Sequence, residues 1–160
     1  MDNTGTYVKI MQESLARKQK YLTEVLELTK EQSKLATSDE FNEDAFSEIV
    51  DKKEVLIDNI NEIDKGFASV YDRVRMEIQA DPAVYRTSLL DIQEKIKACV
   101  DTGMEIEATE ERNRVALENA FATKFKGLRQ VKQSKTVANR YYKSMANGMV
   151  NDSLLYDTKK

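Results

Sequence analysis

Histidine is missing from this 160-residue chain, and so is tryptophan; proline and cysteine occur once each and glycine five times. Without histidine there is no Ser-His-Asp triad, no Cys-His pair, no Glu-x-x-His di-metal bundle and no phosphorelay histidine. The glycines stand apart from one another, so neither G-x-x-x-x-G-K-[ST] nor G-x-G-x-x-G is present to cradle phosphates. A single cysteine forms no internal disulfide, and Met1 to Thr6 lack the basic start and apolar stretch of a secretory signal, which together point to a reducing, cytoplasmic compartment. No apolar run approaches the ~20 residues of a membrane span, so no membrane insertion is expected. Cys99, next to Ile96 on an apolar stripe, reads as a small packing residue rather than a nucleophile. No catalytic residue, cofactor or metal follows from these residues.

What the chain does have is charge and helical spacing. Charged residues make up 33% and apolar residues 41%, a balance suited to long helices on a shared seam. Val8, Met11, Leu15, Leu22 and Val25 fall on one stripe, widened by Tyr21, Leu28 and Leu35. Thr37 followed by Glu40 has capping-box spacing, which places a turn there. The second stripe, Phe46, Ile49, Leu56, Ile60, Ile63, Phe67, Val70, Val74 and Ile78, keeps alternating three- and four-residue steps and is interrupted at Lys53. Asp81-Pro82 has the form of an N-cap and first helical position, and so predicts the start of a third helix. Its stripe runs Tyr85, Leu89, Ile92, Ile96, Cys99, Ile106, Leu117, Phe121, Phe125, Leu128 and Val131, with Gly103, Glu110 and Asn113 where apolar residues are expected. After Ser134 the pattern resumes as Val137, Tyr141, Met145 and Met149, either a short fourth helix or a continuation of the third.

The fold expected from these stripes is all-α: an elongated antiparallel helical bundle or coiled coil of three long helices and a short C-terminal one. The expected helices span about 6–37, 42–80, 82–133 and 136–147 within one domain, 1–150, and 151–160 reads as a flexible polar tail.

Charge is distributed unevenly along the chain. Residues 1–81 hold 11 basic and 18 acidic side chains, and 82–160 hold 14 and 10, giving halves of −7 and +4. Asp39, Glu40, Glu43, Asp44, Glu48 and Asp51 occur with no base among them, and Lys124, Lys126, Arg129, Lys132, Lys135, Arg140 and Lys143 with no acid. Acids in first turns and bases in last turns complement the backbone dipole, which explains both blocks without a ligand. The net charge of −3 and the lack of a recognised motif argue against nucleic acid as a partner.

Glu110-Glu111-Arg112-Asn113 reads as E-x-x-N, a carboxylate and an amide one turn apart that could orient a water for phosphate hydrolysis. Such a pair arises by chance in helices rich in Glu and Asn, and a seam asparagine fixes register in coiled coils, so Asn113 reads as a register-setting residue. The remaining candidate is a binding surface. Val137, Tyr141, Tyr142, Met145 and Met149 form an adaptable apolar strip suited to another amphipathic helix, unless they are simply a last turn of core. Lys132, Arg140 and Lys143 would supply its charged rim.

The order of these features resembles the flagellar export chaperones of the FlgN type. The similarity lies in a leading Leu-spaced helix, the block Ile49-Val50-Asp51-Lys52-Lys53-Glu54-Val55-Leu56-Ile57, and Asn113 within the third helix. It continues in Ala138-Asn139-Arg140-Tyr141-Tyr142-Lys143 and the close Ser153-Leu154-Leu155-Tyr156-Asp157-Thr158-Lys159-Lys160. The resemblance implies a non-enzymatic cytosolic chaperone that keeps flagellar hook-associated (hook-filament junction) proteins unassembled and presents them to the export gate. Binding would be helix on helix, masking a terminal amphipathic segment of the client. The alternative from another class is a structural coiled-coil homodimer, or an adaptor with no export role, in which the same strip is a self-interface.

Overall fold

The computed structural model describes residues 3–124, and these form three helices: α1 (Thr4–Ala36), α2 (Glu43–Ala80) and α3 (Arg86–Lys124). No strand occurs among the described residues, so the all-α helical bundle read from the spacing is the observed architecture. At 1.5 Å per residue the helices run roughly 50 to 58 Å, which makes the described part a rod. The short C-terminal helix expected at 136–147, Phe125, Leu128 and Val131 of the third stripe, and the tail 151–160 lie outside the described residues.

Side-chain pairs give the relative directions of the helices. Between α1 and α3 the bonded residues keep a near-constant offset: Gln12 with Asp91, Gln19 with Thr102, Ser33 with Asn113. Those two helices are therefore parallel. Between α1 and α2 the partners run in opposite senses, Tyr7 with Arg73, Lys18 with Asp64 and Gln32 with Lys53, so α2 is antiparallel to both neighbours.

Helix α1 is the central element. Its buried residues Thr4, Val8, Met11, Leu15, Lys18, Leu22, Val25, Thr29, Gln32 and Ala36 follow one another in unbroken alternating steps of four and three. Small residues on this face, with Cys99 and Gly103 opposite on α3, let α1 lie close to its neighbours, whereas among the described residues no Cα of α2 comes within 8 Å of one in α3. That wider gap is filled by long side chains. Among the described residues the core forms three clusters along the rod. One joins Val8, Met11, Leu15, Phe67, Val74, Ile78, Ile92 and Ile96, and the next joins Leu22, Val25, Leu26, Ile57, Ile60, Cys99 and Ile106. The third is smaller, Ala36, Leu117 and Phe121 with half-buried Phe41, Phe46 and Ala116. In it Phe41 stands edge-on to Phe121 at 5.4 Å between ring centroids.

One helix end differs from the sequence expectation, the start of α3. Thr37, where the expected first helix stops, ends α1, and its Oγ1 donates back to the Ser33 carbonyl at 2.9 Å. The N-cap of α2 is Asn42, whose Oδ1 accepts from the Ala45 N–H at 3.0 Å. Asp81, by contrast, does not open α3 as the Asp81-Pro82 pair predicts. Its backbone N–H closes the last turn of α2 on the Glu77 carbonyl, making it the C-cap of the preceding helix. A reversal of direction then needs residues 82–85, which form a turn, and the first bond into α3 runs from the Leu89 N–H to the Tyr85 carbonyl at 2.8 Å. Pro82 therefore sits past a helix stop, where its missing N–H costs nothing.

Two substitutions test this packing in urea unfolding followed by circular dichroism. Ile96 is fully buried, and Ile96→Ala is expected to lower stability by about 2–5 kcal/mol. Gly66 lies inside α2 on the exposed side, and a Cβ there would meet nothing within 4 Å, so Gly66→Ala is expected to raise stability by about 0.5–1 kcal/mol.

Candidate functional site

The most concentrated polar chemistry among the described residues lies inside the rod. At one level, all three seams turn polar together: Thr29 and Gln32 on α1, Lys53 on α2, Glu110 and Asn113 on α3. Lys53 is 2% exposed and Glu110 7%. The Lys53 ammonium donates both to Glu110 Oε1 and to Gln32 Oε1, which ties the three helices at one point. Thr29 Oγ1 donates to the Val25 carbonyl at 2.7 Å and lies 3.3 Å from Glu110 Oε1. Asn113 Nδ2 donates to the Thr29 carbonyl at 3.0 Å, and Asn113 Oδ1 accepts from Ser33 Oγ at 2.5 Å.

Local sequence explains why these groups meet. Lys53 falls one heptad after Phe46 and one before Ile60, so the helical repeat that turns those two residues towards the core also aims Lys53 inward. Glu110 and Asn113 continue the four- and three-residue steps of Ile96, Cys99, Gly103 and Ile106. A shorter cation from α2 would not bridge the wide α2–α3 gap, whereas lysine's four-carbon stem reaches across it. A second buried pair, Lys18 with Asp64 at 2.8 Å, joins α1 to α2 further along the rod.

Burial pushes the Lys53 ammonium below the ordinary lysine value of 10.5, opposed by the charge of Glu110 and its hydrogen bond. Nearer the surface, hydrogen bonds from Lys95 at 3.0 Å and Gln12 at 2.7 Å hold the Asp91 carboxyl below its usual range.

These contacts decide how the E-x-x-N pair is used. Glu110 and Asn113 are brought together, but both are buried and committed to α1 and α2, not presented to a substrate. Asn113 binds α1 through both ends of its amide, in keeping with a register-setting residue. Cys99 is 1% exposed, and its thiol faces the Leu15 carbonyl at 3.8 Å. Among the described residues no group of three or more acidic or cysteine side chains is arranged to hold a metal ion. No helix among them is long and apolar enough to cross a membrane.

The acidic residues Asp39, Glu40, Glu43, Asp44, Glu48 and Asp51 are exposed around the α1–α2 connection, with Glu43 and Asp44 in the first turn of α2. That placement complements the dipole of α2. The candidate binding residues Lys132, Val137, Arg140, Tyr141, Tyr142, Lys143, Met145 and Met149 lie outside the described residues. Apolar spacing alone missed Lys18, Thr29, Gln32 and Asp64. The first three occupy unbroken heptad steps of α1, so extending the alternation through polar residues would have found them. Comparison of the chain with protein-family models, curated proteins and solved structures finds no match.

The layer has a pH signature. Between the lowered folded value of Lys53 and 10.5, the unfolded chain holds a proton that the folded chain lacks, so stability rises with pH across that window. Relative to Lys53→Met/Glu110→Met, the wild-type chain is therefore expected to gain unfolding free energy as the pH rises towards 10.5. Urea unfolding at each pH measures this, and a difference independent of pH would contradict it. Lys53→Met alone leaves the Glu110 charge buried without its cation and is expected to cost about 3–5 kcal/mol.

Proposed function

We propose that this chain is a non-enzymatic helix-binding protein, acting as a cytosolic chaperone of the flagellar export type. In this role it holds a hook-filament junction subunit before export by covering the subunit's amphipathic terminal segment. The observation that supports a binding role most directly is the fate of the buried ionisable groups. Lys18, Lys53, Asp64 and Glu110 are spent on pairs between helices, so what the fold offers outward is helical surface. A rod of long helices suits a partner that is itself an extended amphipathic helix, because contacts can repeat every turn along the shared axis.

The surface that best fits such a client is the strip Val137, Tyr141, Tyr142, Met145 and Met149. Tyrosine contributes large contact area with few torsions to freeze, and methionine adapts its shape to different clients. Masking follows from the hydrophobic effect: an exposed amphipathic segment self-associates, and docking on the strip removes its apolar face from water. Lys132, Arg140 and Lys143 then steer acidic clients or the export gate to the site, contributing more to the rate of encounter than to the lifetime of the complex.

The test is calorimetric titration of purified hook-filament junction subunits into the full chain and into Tyr141→Ala/Met145→Ala, with light scattering on both. The proposal expects binding that weakens at least ~30-fold in the double variant, the scale of losing a central aromatic anchor. A wild-type chain that binds no subunit and scatters as a stable dimer would instead assign the strip to self-association.

A further inference from the structure

Among the described residues the polar layer divides the rod unequally. On one side lie the two large clusters, which include all three helices and reach from Val8 to Ile106. On the other lies the small end cluster of Ala36, Leu117 and Phe121, closed by half-buried Phe41 and Phe46. The Lys18–Asp64 pair does not make a comparable break, because at that level α3 continues the apolar seam through Ile96 and Cys99. Only at Lys53 do α1, α2 and α3 all lose their apolar seam residues together among the described residues.

We propose that this layer is a boundary of cooperativity, so that the end of the rod beyond Lys53 and Glu110 opens and closes as a unit while the body stays folded. The physical basis is the different response of the two kinds of core to water. An apolar layer resists opening because each exposed side chain loses its burial, and it couples the layers on either side of it. A layer of lysine, glutamate, glutamine, threonine and asparagine regains hydration when its helices part, so the separation of the end can stop there. Closing remains specific, because Lys53 meets both Glu110 and Gln32 in one alignment of the three helices. Opening bares Phe41, Phe46 and Phe121, an aromatic surface at the end where α3 leads into the stretch assigned to client binding. The inference rests on the folded rod and holds whether or not that assignment does.

The natural sequence supplies a reporter for the body, since Cys99 is the only cysteine and is buried there. Ala36→Cys places a second thiol in the end cluster of the full chain. Both thiols are labelled under native conditions, identified by peptide mass spectrometry, and corrected for their rates in the urea-unfolded chain. The thiol at 36 is expected to label at least ~10-fold faster than Cys99, with a weaker dependence on denaturant, as a sub-global opening requires. Adding Lys53→Met/Glu110→Met is expected to bring the two rates together. Native-state hydrogen exchange of the unsubstituted chain gives an independent reading, with amides beyond the layer in all three helices sharing one opening distinct from that of the body. Equal corrected labelling of the two thiols, a gap unchanged by the methionine pair, or a smooth gradient of exchange towards the helix ends would overturn the proposal.

Discussion

The contact between Lys53 and Glu110 is the constraint around which the rod is arranged. Each group gives up hydration on burial, and each can be buried only where the other is, because an isolated charge in the core costs far more than a pair. An apolar coiled-coil seam tolerates a slip of one heptad, since one leucine or isoleucine is much like the next. The Lys53 ammonium tolerates none: shifting α2 against α3 by seven residues would strand both charges. Gln32 makes the same demand of α1, and Asn113 repeats it through the Thr29 carbonyl and the Ser33 hydroxyl. Apolar packing thus holds the helices together, while the polar layer selects their alignment.

The unequal helix spacing follows from the same seams. Small residues at Ser14, Thr29 and Ala36 of α1 and at Cys99 and Gly103 of α3 allow close approach, and α1 becomes the spine on which the other two helices lean. Across the open side between α2 and α3, only long or bulky side chains reach, and Lys53 is one of them. Ion pairs at the surface, such as Lys97 with Asp101 at 3.1 Å, add little, because water screens them and their side chains must be ordered. The stability of the rod therefore rests on its buried stripes, and its specificity on a few buried polar atoms.

Much of this was legible in the spacing of apolar residues. The stripes of all three helices were visible as three- and four-residue steps, and Met11, Leu15, Val25, Val74, Ile92 and Ile96 are all buried as that pattern requires. The start of α3 was harder to read, because Asp81 bears a side chain equally suited to finishing one helix or starting another. The backbone N–H of Asp81, already used by Glu77, decides between those roles and has no trace in the sequence. The polar layer was visible only in pieces, Lys53 as an interruption and Glu110 and Asn113 as gaps in a stripe. That they stand at one level depends on the lengths of the two connections and on the antiparallel path of α2, which no single stripe encodes. The candidate binding strip from Val137 to Met149 rests on sequence alone, as those residues lie outside the described part of the fold.

The central claim is that one buried pair fixes the alignment of three helices, and exchanging its charges tests that claim most directly. Lys53→Glu, Glu110→Lys and the two together would be compared with the wild-type chain by urea unfolding. Each single reversal buries two like charges and is expected to be strongly destabilising. The combined reversal restores an attractive pair, and Gln32 can turn its amide to donate where it formerly accepted. The account predicts that the double variant recovers most of the stability lost by either single one, with a coupling energy above about 1.5 kcal/mol. Additive losses would mean that the two side chains are buried side by side without setting the alignment, and would contradict it.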